Sequence, residues 1–352
     1  MSLAPGLPLR DQAAALQVSQ IWQPPSQRQR WTDLVFRRLC VTFAATTVLL
    51  ILLLVVEIGA KATPAFREYG IAFLYGTTWD PNRSVYGILP EIWGTLYTSL
   101  LALFCGSLFG VAAAIFLSEG YLGEAIFKLL KIGGLEYRPF WSALPDRMEA
   151  LLKTLIELLA AVPSVVYGLW GLFVVIPMIR PFCNWLHAQF GWFPLFSTNL
   201  SGPGILPAVL VLSIMILPTI TAISRDALVS VPPKLRMAAY GLGATRWETI
   251  LGVLLPTASR GIFGGIVLAF GRALGETMAL AMLVGNANRL TVSLFSPANT
   301  LAALLANSFP EAGANLIPVL MYAALVLLGV TLVVNFFGAV VLEKAAAKAE
   351  AK

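Results

Sequence analysis

Charge is scarce in this sequence. Only 12% of its 352 residues are Asp, Glu, Lys or Arg, against roughly 25% in a soluble globular chain. Hydrophobic residues make up 58% and the mean hydropathy is +0.80. That polar surface is too small to cover a water-soluble particle, and the same numbers exclude a disordered or collagen-like chain. Cysteine is nearly absent as well. Cys40, Cys105 and Cys183 are scattered, with neither a CxxC pair nor an even set, which excludes a small disulfide scaffold. The single histidine, His187, follows Cys183 by four residues. Without a carboxylate or a second pair nearby, these two read as ordinary loop residues rather than metal ligands. The sequence also lacks a GxxxxGK[ST] phosphate loop and any HExxH, GxSxG or GxGxxG context. A polytopic membrane protein remains, and its work is passage rather than bond chemistry.

What the chain does have is long apolar runs. A bilayer core of about 30 Å needs roughly 20 apolar residues in a helix. Six runs meet that length, at about 39–58, 92–118, 156–179, 204–224, 261–285 and 316–341. They are too long and too continuous for barrel strands. The reading is an all-α membrane protein of six transmembrane helices, with a permease region over 39–342. A polar arm at 1–38, rich in Pro, Gln, Ser and Arg, precedes it, and a short charged tail at 343–352 follows. Ala60-Lys61-Ala62 resembles a signal-peptidase site, but about 38 polar residues precede a long apolar core, so the first helix is read as retained.

The basic residues orient the bundle. Starting with the N-terminus in the cytoplasm, the arm, the second and fourth loops and the tail hold eighteen of the 24 Lys and Arg residues. Lys61, Arg67, Arg83, Arg180 and Arg289 fall outside, and Arg272 falls within the membrane. This bias places both termini in the cytoplasm and explains the pI of 9.3 without nucleic acid. The second cytoplasmic loop, 119–149, reads as either an amphipathic surface helix or an extension of its flanking spans. The aromatic segment 180–203 reads as a short loop at the membrane interface. Residues 286–315 read as a re-entrant or surface turn outside the membrane.

Two segments carry more information. The loop over 233–256, PKLRMAAYGLGATRWETILGVLLP, starts at a helix-breaking Pro-Pro pair. Ala238, Ala239, Gly241, Gly243 and Ala244 give it a small-residue surface that lets another helix approach, and Gly243 suits a helix-ending turn. The fifth span contains GRALGETMALAMLVGN, with Arg272 and Glu276 one helical turn apart and Gly271 and Gly275 at GxxxG spacing. A charged side chain at the bilayer centre costs about 2.5–3.5 kcal/mol. Arg272 and Glu276 are therefore either a buried structural ion pair or part of an anion pathway. In the second case Arg272 presents a fork of donors suited to phosphate oxygens and Glu276 holds it when the site is empty.

The loop resembles the EAA loop of ABC importer permeases. Met237-Ala238-Ala239, Gly243, Val253 and Leu255-Pro256 fall at that motif's spacing, with Met237 in place of its first Glu. Glu248 is a candidate to take over that carboxylate's role. The segments GRALGETMALAMLVGN, IELLAAVPSVVYGLWGLFV (156–174) and FSPANTLAALLAN (295–307) resemble the phosphate-specific permeases of the PstC type. The resemblance implies a type I ABC importer permease fold in a bacterial inner membrane. It implies that Ala238, Ala239, Gly243, Val253, Leu255 and Pro256 couple the chain to an ATPase, and that Arg272 and Glu276 line the substrate pathway. It implies partners: a second, PstA-type permease, two PstB-type ATPase subunits and an extracytoplasmic PstS-type phosphate-binding protein, all set in membrane lipid. ATP and Mg would be bound by the ATPase, leaving this chain without a cofactor, metal or catalytic residue. The residues alone leave open a sibling permease for sulfate or molybdate, and a secondary transporter in which Glu276 carries a proton.

Overall fold

The computed structural model describes residues 26–121, 128 and 144–350. Most of the arm and most of the 119–149 loop therefore lie outside the described residues. The chain divides into two units, Met1–Glu57 and Ile58–Lys352. Among the described residues, six helices are long and apolar enough to cross a membrane.

Helix α1 covers Gln27–Tyr69. It starts inside the segment read as a flexible arm and carries apolar side chains all round through LLILLLVV, as a span facing lipid does. A short helix α2 (Ala72–Tyr75) and a two-residue antiparallel ladder, β1 (Trp79–Asp80) with β2 (Val85–Tyr86), follow. These pack in an apolar cluster with Ala62, Ala65 and Tyr322, where Phe73 stacks on Tyr322 at 4.6 Å.

Helix α3 (Leu89–Ser118) is the bundle's packing axis. Gly106 and Gly110 repeat the small-xxx-small spacing on its inner face. A Cβ on either would meet a side chain of the fourth span, Ile216 Cγ1 or Ile220 Cγ2, at 2.8 Å. Ser213 and Thr221 on that span donate to the α3 carbonyls of Ala102 and Gly110, each at 3.2 Å. Close backbone approach and interhelical hydrogen bonds replace the hydrophobic drive that lipid does not supply.

An amphipathic helix, α4 (Leu144–Ala161), leads to the third span. That span begins at Ser164, eight residues later than the apolar run suggested, because Pro163 has no N–H and bends the residue before it away from helix. Tyr167 Oη donates to the freed carbonyl of Leu159 at 2.8 Å and closes the corner. The span, α5 (Ser164–Phe190), runs eleven residues past its expected end through Pro177 and Pro181. A π turn at Gly171–Val175 precedes both prolines and shifts the hydrogen-bond register that they would otherwise break. Cys183 and His187 are thus helical, not loop residues. Cys183 packs against Leu200 and Phe295, and His187 Nδ1 lies 2.6 Å from the Phe196 carbonyl.

The fourth span is α6 (Ile205–Val229), and a short helix α7 (Pro233–Gly241) follows it. The fifth, α8 (Arg246–Leu274), starts fifteen residues before the expected boundary and ends eleven before the expected end. Its start is a capping box: the Thr245 hydroxyl accepts from Glu248 N–H, and the Glu248 carboxylate accepts from Thr245 N–H at 2.7 Å. Helix α9 (Met278–Leu283) is separate. The segment after it is no surface turn. It runs inward as irregular chain, turning at Leu294–Ser296, with Ser293, Phe295, Ala298, Asn299 and Thr300 buried, then enters α10 (Leu301–Ser308). Gly94 of α3 lies against the Asn299 carbonyl so closely that a Cβ would overlap the oxygen. The last helix, α11 (Ile317–Glu350), carries the sixth span and continues through most of the segment read as a tail.

Candidate functional site

The first region lies where α6, α8 and α11 meet. A recess of about 800 Å³ opens there, lined by Thr219, Val267, Leu268, Gly271, Arg272 and Asn335 among others. Most of this lining is apolar, and Arg272 supplies its only formal charge. Arg272 sits in the last turn of α8, where the partial negative charge of the helix C-terminus favours a cation. Its side chain is exposed to the recess.

Glu276 does not join it there as the sequence spacing suggested. The helix stops at Leu274 with Gly275 at its C-cap, and Glu276 N–H reaches back only to the Ala273 carbonyl at 3.4 Å. The i,i+4 relation therefore does not exist, and among the described residues no ion pair joins Arg272 and Glu276. Gly271 and Gly275 also divide their roles differently from a GxxxG seam. Gly271 faces α11, where a Cβ would lie 3.0 Å from Asn335 Oδ1. Gly275 serves as the helix cap. The second close approach comes from α11 itself, where a Cβ on Gly338 would meet Val267 Cγ1 at 2.7 Å.

Asn335 and Thr219 are the residues that the sequence reading missed. Asn335 is the only carboxamide in the apolar run of the sixth span, a pattern that marks a polar residue placed for use. Thr219 gives no such signal, since hydroxyls are common in membrane helices. Together the recess offers a fixed positive charge, an amide that both donates and accepts, and a hydroxyl. Such a set can solvate an oxyanion in transit without holding it in a closed cage.

The second region is the 233–256 loop. Helix α7 ends in a Schellman turn: Ala244 N–H donates to the Ala239 carbonyl at 3.1 Å and Gly243 N–H to that of Tyr240 at 3.0 Å. Gly243 takes φ +85, a left-handed conformation that other residues adopt at a cost. The exposed surface keeps part of the expected small-residue face, Ala238, Gly241 and Gly243, and adds large apolar side chains to it. Ala239 is turned inward at 7% exposure, whereas Met237, Leu242 and Trp247 stand out at 72%, 90% and 59%. Ala238 is exposed, Val253 and Leu255 are half-buried, and Pro256 is exposed. A π turn over Ile250–Leu254 carries α8 past Pro256. The hairpin presents large apolar knobs among charged side chains, the signature of a protein-binding surface. Glu248 is committed to the capping box and does not stand in for a carboxylate at position 237.

Comparison with known proteins identifies the family of the chain. The family described as binding-protein-dependent transport system inner membrane component matches residues 140–344. The phosphate transport system permease protein PstC of Pasteurella multocida is 38% identical over 307 residues, covering 86% of this chain and 89% of that protein. The protein of that name from Mesorhizobium japonicum is 36% identical, covering 87% of each. Among solved structures, a bacterial alginate ABC transporter, in complex with an alginate pentasaccharide-bound periplasmic protein, superposes with a TM-score of 0.55. It is 16% identical and covers 88% of this chain and 95% of its own, a likeness of fold alone.

Proposed function

This chain belongs to the family of binding-protein-dependent transport system inner membrane components, and from that premise we propose that it passes inorganic phosphate across the inner membrane. It is a multi-pass membrane subunit that works with ATPase and binding-protein components. In the finer reading, the set consists of a PstA-type second permease, two PstB-type ATPases and a PstS-type phosphate-binding protein. Both termini are cytoplasmic in this reading, which the distribution of Lys and Arg supports. ATP and Mg belong to the ATPase subunits, and this chain binds no cofactor.

The observation that carries the substrate is Arg272, a guanidinium exposed in a largely apolar recess between membrane helices. Left facing hydrocarbon, it would cost about 2.5–3.5 kcal/mol. The cost falls when the recess faces the second permease across a hydrated path and an anion passes along it. A planar fork of donors fits tetrahedral oxyanions, and Asn335 and Thr219 add neutral donors alongside. Glu276, half-buried beyond the helix end, stays a candidate for the same path although it does not line the recess. Docking of the ATPase on Met237, Leu242 and Trp247 moves α8, which joins the loop to Arg272 in one continuous helix. Ala238, Ala239, Gly243, Val253, Leu255 and Pro256 shape and orient that docking hairpin.

Phosphate is separated from its relatives by competition. In cells whose only phosphate importer contains this chain, labelled phosphate uptake is expected to fall with excess unlabelled phosphate. It is expected to stand against an excess of sulfate or molybdate of about a hundredfold. Equal inhibition by sulfate or molybdate would assign the chain to another oxyanion.

A further inference from the structure

The cytoplasmic-side end of α3 holds a charge cluster that the transport path does not use. Glu119 caps α3, its N–H donating to the Ile115 carbonyl at 3.0 Å, and its side chain is only 2% exposed. Arg236 of α7 places Nη2 2.9 Å from Glu119 Oε1. Arg246, the first residue of α8, places Nε 3.6 Å from Glu119 Oε2 and donates from Nη2 to the Glu119 carbonyl. The Arg246 guanidinium also lies over the Tyr121 ring, 4.2 Å from its centroid, and Tyr121 stacks on Phe116 of α3. One buried carboxylate thus grips both arms of the docking hairpin.

We propose that Glu119 is the positioning residue that couples the docking hairpin to α3, so that ATPase movement drives α3 together with α8. The proposal rests on the docking role of the hairpin. Helix α7 has little else to hold it, since Ala239 is its only buried residue. Arg236 and Met237 are neighbours with opposite tasks: Arg236 turns inward to Glu119, and Met237 turns outward at 72% exposure. A force on the outer knobs therefore reaches Glu119 through Arg236 on one arm and Arg246 on the other. From Glu119 it runs along α3 to the Gly106–Gly110 seam against α6, and α6 supplies Thr219 to the recess. A shift of its partners leaves the buried carboxylate short of counter-charge, which is costly. That makes it a stiff joint rather than a loose contact. The motif position occupied by Met237 lacks a carboxylate, and Glu119 supplies one to the hairpin from another helix.

The test uses the complete importer in proteoliposomes, with the wild-type chain and with Glu119→Gln, Glu119→Asp and Arg236→Gln. Three quantities are read on each preparation: ATPase retained on the complex, ATP hydrolysis stimulated by the phosphate-loaded binding protein, and phosphate uptake. Glu119→Gln and Arg236→Gln are expected to retain the ATPase while uptake per ATP falls about tenfold, within the usual range of a coupling free energy. Glu119→Asp is expected to recover most of that ratio. A purely structural role would lower the amount of complex and leave the ratio unchanged. If Glu119→Gln fails to insert, Arg236→Gln decides, since its side chain is 31% exposed and its loss leaves Arg246 on Glu119. A wild-type ratio in the inserted variants would overturn the proposal. Failure of the wild-type complex to retain the ATPase would instead remove the docking role beneath it.

Discussion

Arg272→Gln is expected to leave the importer assembled in the membrane while phosphate uptake falls by about a hundredfold or more. The guanidinium supplies the recess with its only formal charge, on the last turn of α8. Charge-assisted contact to an anion is worth about 3 kcal/mol, or roughly a hundredfold. Arg272→Lys keeps the charge and loses the planar fork, so partial recovery is expected. The structure also sharpens the outcome for the double variant. A buried ion pair loses most when one partner is removed and little when both are replaced. Glu276 lies beyond the helix end and does not pair with Arg272, so Arg272→Gln with Glu276→Gln is expected to remain as inactive as Arg272→Gln alone. Uptake and subunit recovery are measured on the same membranes. Wild-type uptake by the double variant would make the two residues a structural pair after all.

The second large effect concerns Gly243. No atom lies within 4 Å of where its Cβ would stand, so bulk alone is no obstacle in this chain. The obstacle is φ +85, which costs a β-branched residue about 1–3 kcal/mol when the surrounding structure enforces it. Gly243→Val is expected to relieve that strain by unwinding the Schellman turn, which displaces Leu242, 90% exposed beside it. ATPase recovered with the complex is expected to fall at least about tenfold, with membrane insertion unchanged. Gly243→Asn should keep most of the binding, because asparagine enters the left-handed region readily. Gly243→Glu meets both the strain and the ATPase surface and is expected to lose as much as Gly243→Val. Normal ATPase recovery with Gly243→Val would mean that the turn does not set the docking surface.

The six membrane helices were legible because lipid allows few alternatives to a continuous apolar helix. Their ends were less legible, for local reasons. The capping box at Thr245 and Glu248 was present in the sequence, yet an apolar window passes over it because the first turns of α8 lie beyond the apolar run. Pro163 was an equally readable stop, whereas Pro177 and Pro181 were false stops made tolerable by a π turn that no residue pattern announces. The candidate site was half legible. Arg272 stood out as a charge in an apolar run, and the regular spacing then suggested a pairing that Gly275 interrupts by ending the helix. Asn335 is separated from Arg272 by more than sixty residues of sequence, so only the packing of α8 on α11 brings it to the same recess. Glu119 was hidden for the same reason. Its partners lie over a hundred residues away, and only the folded hairpin gathers them.

Phosphate uptake into proteoliposomes, with and without ATP, tests the central claim most directly. With this chain, its partner permease, the ATPase and the phosphate-loaded binding protein present, accumulation against a gradient is expected only when ATP is supplied on the ATPase side. The chain alone is expected to accumulate nothing, with or without a proton gradient. Proton-driven phosphate accumulation by the chain alone, without ATP, would contradict the account and make it a secondary transporter.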